Sequence, residues 1–403
     1  MTIHLAFHYL GCARRVGDGV AVAGRVGPLI ECLADLVDRV TVVAYDPPSV
    51  PTPVEDETQY AIRSSVGNVE LLSLGPKGTF RDHFARKARV RRIVAHASAS
   101  WDVQVLQIAN RRAGLVFDAS MCDRTVALVV GRSHEHIARS SWTPARKAAG
   151  LLRSRWEDLV DSRIIDNAGF VLTNSDELKN FHGGHSKIAV LGMSTRHTRY
   201  EHRVDDRLEA TMELGLSGRI AAEKGVFEAL DAFVALRAQF PHARLHLIGD
   251  GPALSDLILR AEQLGVAEGV VQHGWVSVGP ALFDLYASLD VLLLPSYAEG
   301  LPYSVWEALA HSVLVVSTPV GGMPSAFEDR RELMFVAPRS SSEIVRAIQT
   351  LIATPELRRR LILEGFERAR SVTVESVAAR IVDGLAATWK LERSTPEARP
   401  GQR

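Results

Sequence analysis

Glu299 and Glu307 are the residues in this chain whose types and spacing point most directly to chemistry. They follow the apolar run Val291-Leu292-Leu293-Leu294-Pro295-Ser296, which reads as a buried parallel strand. Residues 304–310 read as the first turns of a helix. Glu299 therefore falls in a strand-to-helix loop, and Glu307 about one turn into the helix. Loops at the carboxyl ends of parallel strands are where α/β proteins bind ligands. Two carboxylates placed there can hold hydroxyl groups through charge-assisted hydrogen bonds. Taken alone, the pair also fits a solvated loop glutamate and a helix-start glutamate favoured by the dipole.

A second cluster is Ser217-Gly218-Arg219-Ile220-Ala221-Ala222-Glu223-Lys224-Gly225, between an expected strand and a helix over 226–236. Arg219 can fork onto two phosphate oxygens, and Lys224 adds a point charge. The backbone N–H groups opening the next helix also favour an anion. The plain alternative is a solvated lysine and a salt-bridged arginine. Three glycine turns complete the set: Leu247-Ile248-Gly249-Asp250-Gly251-Pro252, Gln272-His273-Gly274-Trp275-Val276 and Thr318-Pro319-Val320-Gly321-Gly322-Met323-Pro324. Glycine lets a backbone approach a ligand closely, although each string alone is ordinary turn chemistry.

These loops need a scaffold of alternating strands and helices, and the sequence supplies one. Residues 3–9, 40–44, 69–74, 103–108, 126–130 and 169–173 read as short apolar strands, with helical stretches such as 26–37 between them. A second series comprises strands at 208–216, 244–249, 270–273, 291–294 and 313–317. The pattern predicts doubly wound parallel sheets. The expected organisation is an N-terminal Rossmann-like domain over 1–192, a linker over 193–207, and a C-terminal Rossmann-like domain over 208–372. A final helix over 373–393 returns to the first domain, and 394–403 forms a disordered tail. Two such domains facing each other leave a cleft suited to two substrates.

Bulk composition narrows the class. A chain of 403 residues, 46% hydrophobic and 23% charged, has the make-up of an ordinary globular protein. Its 47 basic and 47 acidic residues balance, so no global field favours nucleic acid. Cys12, Cys32 and Cys122 form no metal or disulfide framework and suit a reducing cytoplasm. The N-terminus lacks the features of a signal peptide. The uncharged run 308–327 is broken by Pro319, Gly321, Gly322 and Pro324, so no transmembrane segment is expected.

The order and spacing of these motifs resemble the retaining GT-B glycosyltransferases of family 4, the glycosyltransferase group 1 type. The E-x7-E string from Glu299 to Glu307, the G-R-x4-K-G string from Gly218 to Gly225, and the G-x-V segment of Gly274, Trp275 and Val276 carry the resemblance. It covers the C-terminal half well and the N-terminal half loosely. It implies that Arg219 and Lys224 hold the donor diphosphate and stabilise the leaving group. Glu299 would contact the transferred sugar, and Glu307 the nucleotide ribose. Gly300, Leu301 and Pro302 would offer backbone donors, Gly249 a tight turn, and Gly274 to Val276 a base-reading backbone. The implied reaction retains configuration and passes through an oxocarbenium-like transition state, with UDP favoured over GDP in the donor. The acceptor is a hydroxyl of a saccharide, a lipid-linked saccharide or a small metabolite. The chain has no Asp-x-Asp, and Arg219 and Lys224 would take the place of a metal, so no metal and no cofactor beyond the donor is expected. Two alternatives are a nucleotide-sugar epimerase of the same fold and a non-catalytic nucleotide-sugar-binding subunit.

The N-terminal half departs more from that pattern. Gly17 and Gly19 are split where adjacent glycines are usual, and their loop would approach a phosphate or sugar. His134, in Gly131-Arg132-Ser133-His134-Glu135-His136, is the positional match for a mid-domain catalytic histidine, and equally fits a surface histidine. His134 with His136, or His182 with His185, makes a poor metal pair without further ligands. His311 and Ser312 replace a small pair after Glu307. The basic segment 81–92, containing Arg81, Arg86, Lys87, Arg89, Arg91 and Arg92, reads either as a peripheral membrane patch or as a solvated helix face. Its sparse apolar residues favour the latter. Oligomeric state is not readable.

Overall fold

A computed structural model of the chain describes residues 3–22, 26–47, 60–62, 67–77, 86–108, 112–120, 123–129, 144–173, 188–190 and 208–390. The chain divides into two compact units. The first comprises Met1–Asn174, Leu178–Leu191 and Glu375–Arg403, and the second Ser175–Glu177 and Gly192–Val374.

The first unit is built on a parallel seven-stranded sheet in the order β10-β9-β8-β7-β1-β4-β6. Its strands are β1 (His4–Cys12), β4 (Arg39–Asp46), β6 (Val69–Pro76), β7 (Val103–Gln107), β8 (Thr125–Val129), β9 (Phe170–Thr173) and β10 (Ile188–Val190). Runs such as Val40-Thr41-Val42-Val43 are buried along their whole length, as strands covered on both faces must be. Helices α1 (Gly27–Leu36), α2 (Lys87–Ser98), α3 (Ala113–Ala119) and α4 (Pro144–Asn167) connect them. A small antiparallel sheet of β2 (Arg14–Val16), β3 (Gly19–Val22) and β5 (Tyr60–Ala61) lies beside this core.

The second unit holds a parallel six-stranded sheet in the order β13-β12-β11-β14-β15-β16. Its strands are β11 (Glu213–Ser217), β12 (Arg244–Ile248), β13 (Val270–Gly274), β14 (Val291–Leu294), β15 (Leu314–Ser317) and β16 (Met334–Phe335). The connecting helices are α5 (Val226–Arg237), α6 (Leu254–Gln263), α7 (Pro280–Ser288), α8 (Tyr303–Ala310), α9 (Ser341–Ala353) and α10 (Pro355–Arg370). The chain winds outward through β11, β12 and β13, then returns to β14 and winds the other way. The switch point therefore lies between the carboxyl ends of β11 and β14.

The last helix, α11 (Val374–Trp389), packs in the first unit. A Cβ on Gly384 would lie 2.4 Å from the Phe170 ring, and one on Gly169 would lie 2.5 Å from the Trp389 ring. The two glycines thus admit a close helix-on-strand contact.

Two expectations need correction. Residues 208–216 are not one strand: Leu208–Thr211 is a helical turn, and β11 starts only at Glu213. Met212 between them has φ +46, a left-handed step that ends the turn and redirects the chain. The loop containing Gly17 and Gly19 is a hairpin, with Gly17 and Asp18 as its two-residue turn and Gly17 at φ +57. His134 and His136, His182 and His185, Cys122, the linker 193–207, residues 81–85 and the tail 394–403 lie outside the described residues. No helix among the described residues is long and apolar enough to cross a membrane.

One buried group of the first unit makes its stability depend on pH. His8 is fully buried on β1, where its Nε2–H donates to Gln104 Oε1 at 3.1 Å and its ring meets Trp101 edge-on at 5.2 Å. Burial pushes the imidazole down from 6.5 to about 3. The unfolded chain therefore binds a proton in that window that the native chain does not. Stability from the neutral ring is complete above pH 6.5 and is lost as the pH falls toward about 3. His8→Gln is expected to flatten this part of the decline, read as the urea midpoint against pH; an unchanged slope would assign it to other groups.

Candidate active site

The second unit gathers the predicted residues at its switch point. After β11 the chain enters Gly218 and Arg219, passes a short 3-10 turn at Ala222–Lys224, and starts α5 at Val226. Gly225, the N-cap of α5, has φ +69, and a Cβ there would lie 2.1 Å from the Pro295 carbonyl oxygen. Only glycine lets the loop after β11 press this closely on the end of β14. Gly249 repeats the device after β12. It has φ +143, and its Cβ would lie 1.9 Å from the Gly218 carbonyl oxygen. Ile220 N–H donates to Asp250 O at 2.9 Å, tying the same two loops together.

The close approach of the β11 and β14 loops joins the key side chains. Lys224 Nζ donates to Glu299 Oε1 at 2.6 Å. The Glu299 side chain is 7% exposed and that of Lys224 is 28% exposed. Ser296 Oγ donates to the same Glu299 oxygen at 2.6 Å. Both donors converge on Oε1 of Glu299. A carboxylate this buried depends on such partners, because a charge taken from water without them is strongly destabilising.

Arg219 is held quite differently. It is 56% exposed and pairs with Glu223 on its own loop. An exposed pair of this kind contributes about 0–1 kcal/mol, so an arriving phosphate can displace it at little cost. The salt-bridged reading of Arg219 and the phosphate reading are therefore compatible.

Residues without an assigned role in the sequence fix the frame. Thr318 Oγ1 donates to Ser296 O at 2.6 Å, and Gly322 N–H donates to Gly300 O at 2.8 Å. The glycine turn after β15 thereby braces the loop that carries Glu299. Tyr297 N–H donates to Glu223 O at 2.9 Å, its hydroxyl donates to Glu228 on α5, and Arg339 lies over its ring at 4.1 Å. Burial and the Glu228 carboxylate push the Tyr297 phenol up to about 12, with Arg339 pulling the other way. Ser296 and Thr318 both stand inside motif strings, but only three-dimensional placement reveals what their hydroxyls touch.

Glu307 lies in α8 and is 1% exposed. His311 Nδ1–H donates to the Glu307 carbonyl at 2.8 Å. At the end of β13, His273 hydrogen-bonds His246 at 2.8 Å, and His246 in turn holds Glu213 at 2.6 Å. Burial and the neighbouring His246 hold His273 below the usual imidazole range. This chain anchors Gly274, at φ +65, and leaves Trp275 standing 67% exposed. Val276 packs into the core beside it. Gly17 and Gly19 belong to the first unit. Among the described residues, no cluster of three or more His, Cys, Asp or Glu is placed to hold a metal ion.

Comparison with known proteins bears on the fold. The solved structures it resembles include sucrose-phosphate synthase from Thermosynechococcus elongatus (TM-score 0.71, 17% identity, 94% of this chain and 98% of that one). HepE of Anabaena with UDP-glucose (TM-score 0.67, 17% identity, 96% and 100%) is another. At such identities the likeness shows the fold, and the fold is GT-B, the two-unit architecture of many glycosyltransferases. Residues 203–368 match the model of the family "Glycosyl transferases group 1". Among curated relatives, a Bacillus subtilis protein named as a teichuronic acid biosynthesis glycosyltransferase is 31% identical over 46% of this chain and 47% of its own length. The D-inositol 3-phosphate glycosyltransferase of Rhodococcus jostii is 27% identical over 54% of this chain and 50% of its own. The chain thus spans about half the length of these relatives.

Two substitutions test the frame. Gly249→Ala is expected to destabilise the fold by more than about 2 kcal/mol, because a backbone carbonyl blocks the new methyl group. Gly265→Ala, at φ +71 but in open space, is expected to cost about 1 kcal/mol. Equal urea midpoints for the two would refute the proposed packing. In a double-mutant cycle, Lys224→Met and Glu299→Gln are expected to couple by about 1–3 kcal/mol, since either alone strands its charged partner away from bulk water. Additive losses would mean that the pair does not support Glu299.

Proposed function

We propose that the chain is a retaining, metal-independent glycosyltransferase that moves a sugar from a UDP-sugar to a hydroxyl acceptor. The observation carrying this reading is the Lys224–Glu299 pair at the switch point of the second unit, with Arg219 exposed on the same loop. The HepE structures hold UDP, UDP with glucose, and UDP-glucose, which favours a uridine donor here.

In this reading Arg219 leaves Glu223 to fork onto the diphosphate, and Lys224 and the start of α5 add positive potential. As the glycosidic bond to the diphosphate lengthens, negative charge builds on the leaving phosphate. Donors already in place stabilise it without reorganising, which is where the largest rate effect of such sites arises. Glu299, clamped through Oε1, turns Oε2 to a sugar hydroxyl and orients the reacting carbon. The acceptor hydroxyl approaches on the face the diphosphate leaves, and a phosphate oxygen takes its proton. Glu307 holds the ribose hydroxyls, and the backbone from Gly274 to Val276 meets the base.

The test is nucleoside-diphosphate release and thermal shift against UDP-, GDP-, ADP- and TDP-sugars with EDTA present. A donor at about 100 times its Kd should stabilise the fold by roughly 2.7 kcal/mol. Glu299→Ala should lower transfer by roughly a hundredfold or more while nucleotide still binds. No stabilisation by any donor, or equal turnover in wild type and variant, would overturn the reading. Dependence on added metal would overturn its metal-independent form.

A further inference from the structure

Three polar side chains lie in a row across the second sheet, and the row ends beside the loop of Gly274, Trp275 and Val276. We propose that His273 is a specificity residue for the base of the nucleotide: Glu213 and His246 hold it in the tautomer whose Nδ1 accepts a hydrogen bond, so the site takes a base that carries a ring N–H. The inference rests on the donor reading above, in which this loop meets the base.

The row begins with a group that can only accept. Glu213 opens β11, and His246 Nε2–H donates to its Oε2 at 2.6 Å. An ionised carboxylate has no proton to give, so the proton on His246 Nε2 is fixed in place. A neutral imidazole carries one N–H, which leaves His246 Nδ1 with a lone pair. That nitrogen lies 2.8 Å from His273 Nε2, with an angle of 9° between the ring planes. Neutral His273 must therefore carry its proton on Nε2, and its lone pair falls on Nδ1. A polarity set by one carboxylate passes through two rings to one nitrogen. Hydrogen bonds in such a row strengthen one another where water is scarce, and the His246 and Glu213 side chains are largely withdrawn from it.

The nitrogen at the end of the row is placed for a ligand. Among the described residues His273 has no other side-chain hydrogen bond, and its Nδ1 is reachable from solvent. Where β12 pairs with β13, Leu247 faces Gln272 and Ile248 faces Gly274, so His273 is the extra residue of a bulge. Bulges beside functional sites re-aim a side chain. Gly274 follows at φ +65, and a Cβ there would meet nothing within 4 Å. Trp275 comes next with its ring left in water. An acceptor nitrogen, an open space and an aromatic face thus stand at three consecutive residues, a set that suits a planar heterocycle.

The surroundings bear on the charge of the row. Burial and the neighbouring His246 hold His273 below the usual imidazole range. Beside Glu213, Asp290 on β14 accepts from Thr211 Oγ1 and from the Glu213 N–H. Arg244, in register with Glu213 at the start of β12, is exposed. Helix α7 covers this face, with Leu282 and Tyr286 packed in one cluster with Ile248. Its one charged residue, Asp284, is exposed, and the Tyr286 hydroxyl bonds Ser217. Residues 275–279 carry no charge. One added proton reverses the polarity wherever it sits. Placed on His273 it makes Nδ1 a donor directly. Placed on His246 it makes His273 Nε2 the acceptor, and the His273 proton moves to Nδ1.

Uracil, thymine and guanine present a ring N–H at their pairing edge, whereas cytosine and adenine present a bare ring nitrogen. An acceptor on His273 serves the first group and repels the second, and a donor does the reverse.

The full chain is titrated calorimetrically with UDP and with CDP at about pH 7.5 and about pH 5.5, the span over which histidine titrates. The two nucleotides share one diphosphate, so its own titration cancels in the ratio of their Kd values. UDP should bind at least about tenfold more tightly than CDP at the higher pH, and this ratio should shrink at least about threefold at the lower. His273→Gln, whose amide both donates and accepts, should show a ratio that does not change with pH. Nitrogen NMR spectra of the histidine-labelled protein without nucleotide, with His273 assigned by its absence from the variant, should show Nε2 protonated and Nδ1 bare at the higher pH. A wild-type ratio that is equal at both pH values, a ratio in His273→Gln as pH-dependent as in wild type, or a proton on Nδ1 at the higher pH would each overturn this inference and leave the donor reading standing. Binding of neither nucleotide would overturn the donor reading and this inference with it.

Discussion

A carboxylate withdrawn from water must find a cation or lose its charge, and Glu299 meets that demand with a lysine 75 residues earlier in the chain. The contact requires β11 and β14 to be neighbours although two further strands separate them in sequence. Only a sheet that reverses its winding order achieves this. It also requires the loop after β11 to come within van der Waals reach of the Pro295 carbonyl, hence Gly225. Ser296, Thr318 and the Tyr297–Glu228 contact then remove the remaining freedom of the Glu299 loop. The sheet topology, two left-handed glycines and a small set of hydroxyl groups thus serve one pair of charges.

The two cations of the β11 loop divide the work by how tightly they are held. Lys224 is partly buried and committed to Glu299, so it supplies a fixed charge. Arg219 is exposed and only weakly held by Glu223, so it can change partners. A site of this kind keeps the Glu299 carboxylate fixed in the resting state and leaves the Arg219 guanidinium adaptable.

The legibility of this arrangement in the sequence follows the same physics. Residues 219, 224 and 299 stand out in the sequence because charged side chains in strand-to-helix loops are conspicuous, and the structure places all three in the loops at the ends of β11 and β14. The strands at 244–248 and 291–294 were readable because strands buried on both faces must be apolar throughout. The pairing of Lys224 with Glu299 was not readable, since nothing in local spacing encodes a contact over that distance. Residues 208–216 were misread because Leu208, Met212, Leu214 and Leu216 fit a buried element of either kind. The boundary between helix and strand is set by a left-handed Met212, and methionine gives no sign of that conformation. The hairpin at Gly17 was read as a loop because its strands are short and its partner, Tyr60 and Ala61, comes from far along the chain.

The path of the chain through the two units has a consequence for its birth on the ribosome. The second unit is nearly continuous and ends at Val374, whereas the first needs α11, which is made only after the whole second unit. Phe170 and Gly169 must wait for Gly384 and Trp389 before their surfaces are covered. Although domains are usually completed in order from the N-terminus, here the unit begun first is finished after the second. Until α11 emerges, the first unit exposes an apolar strip that this helix seals.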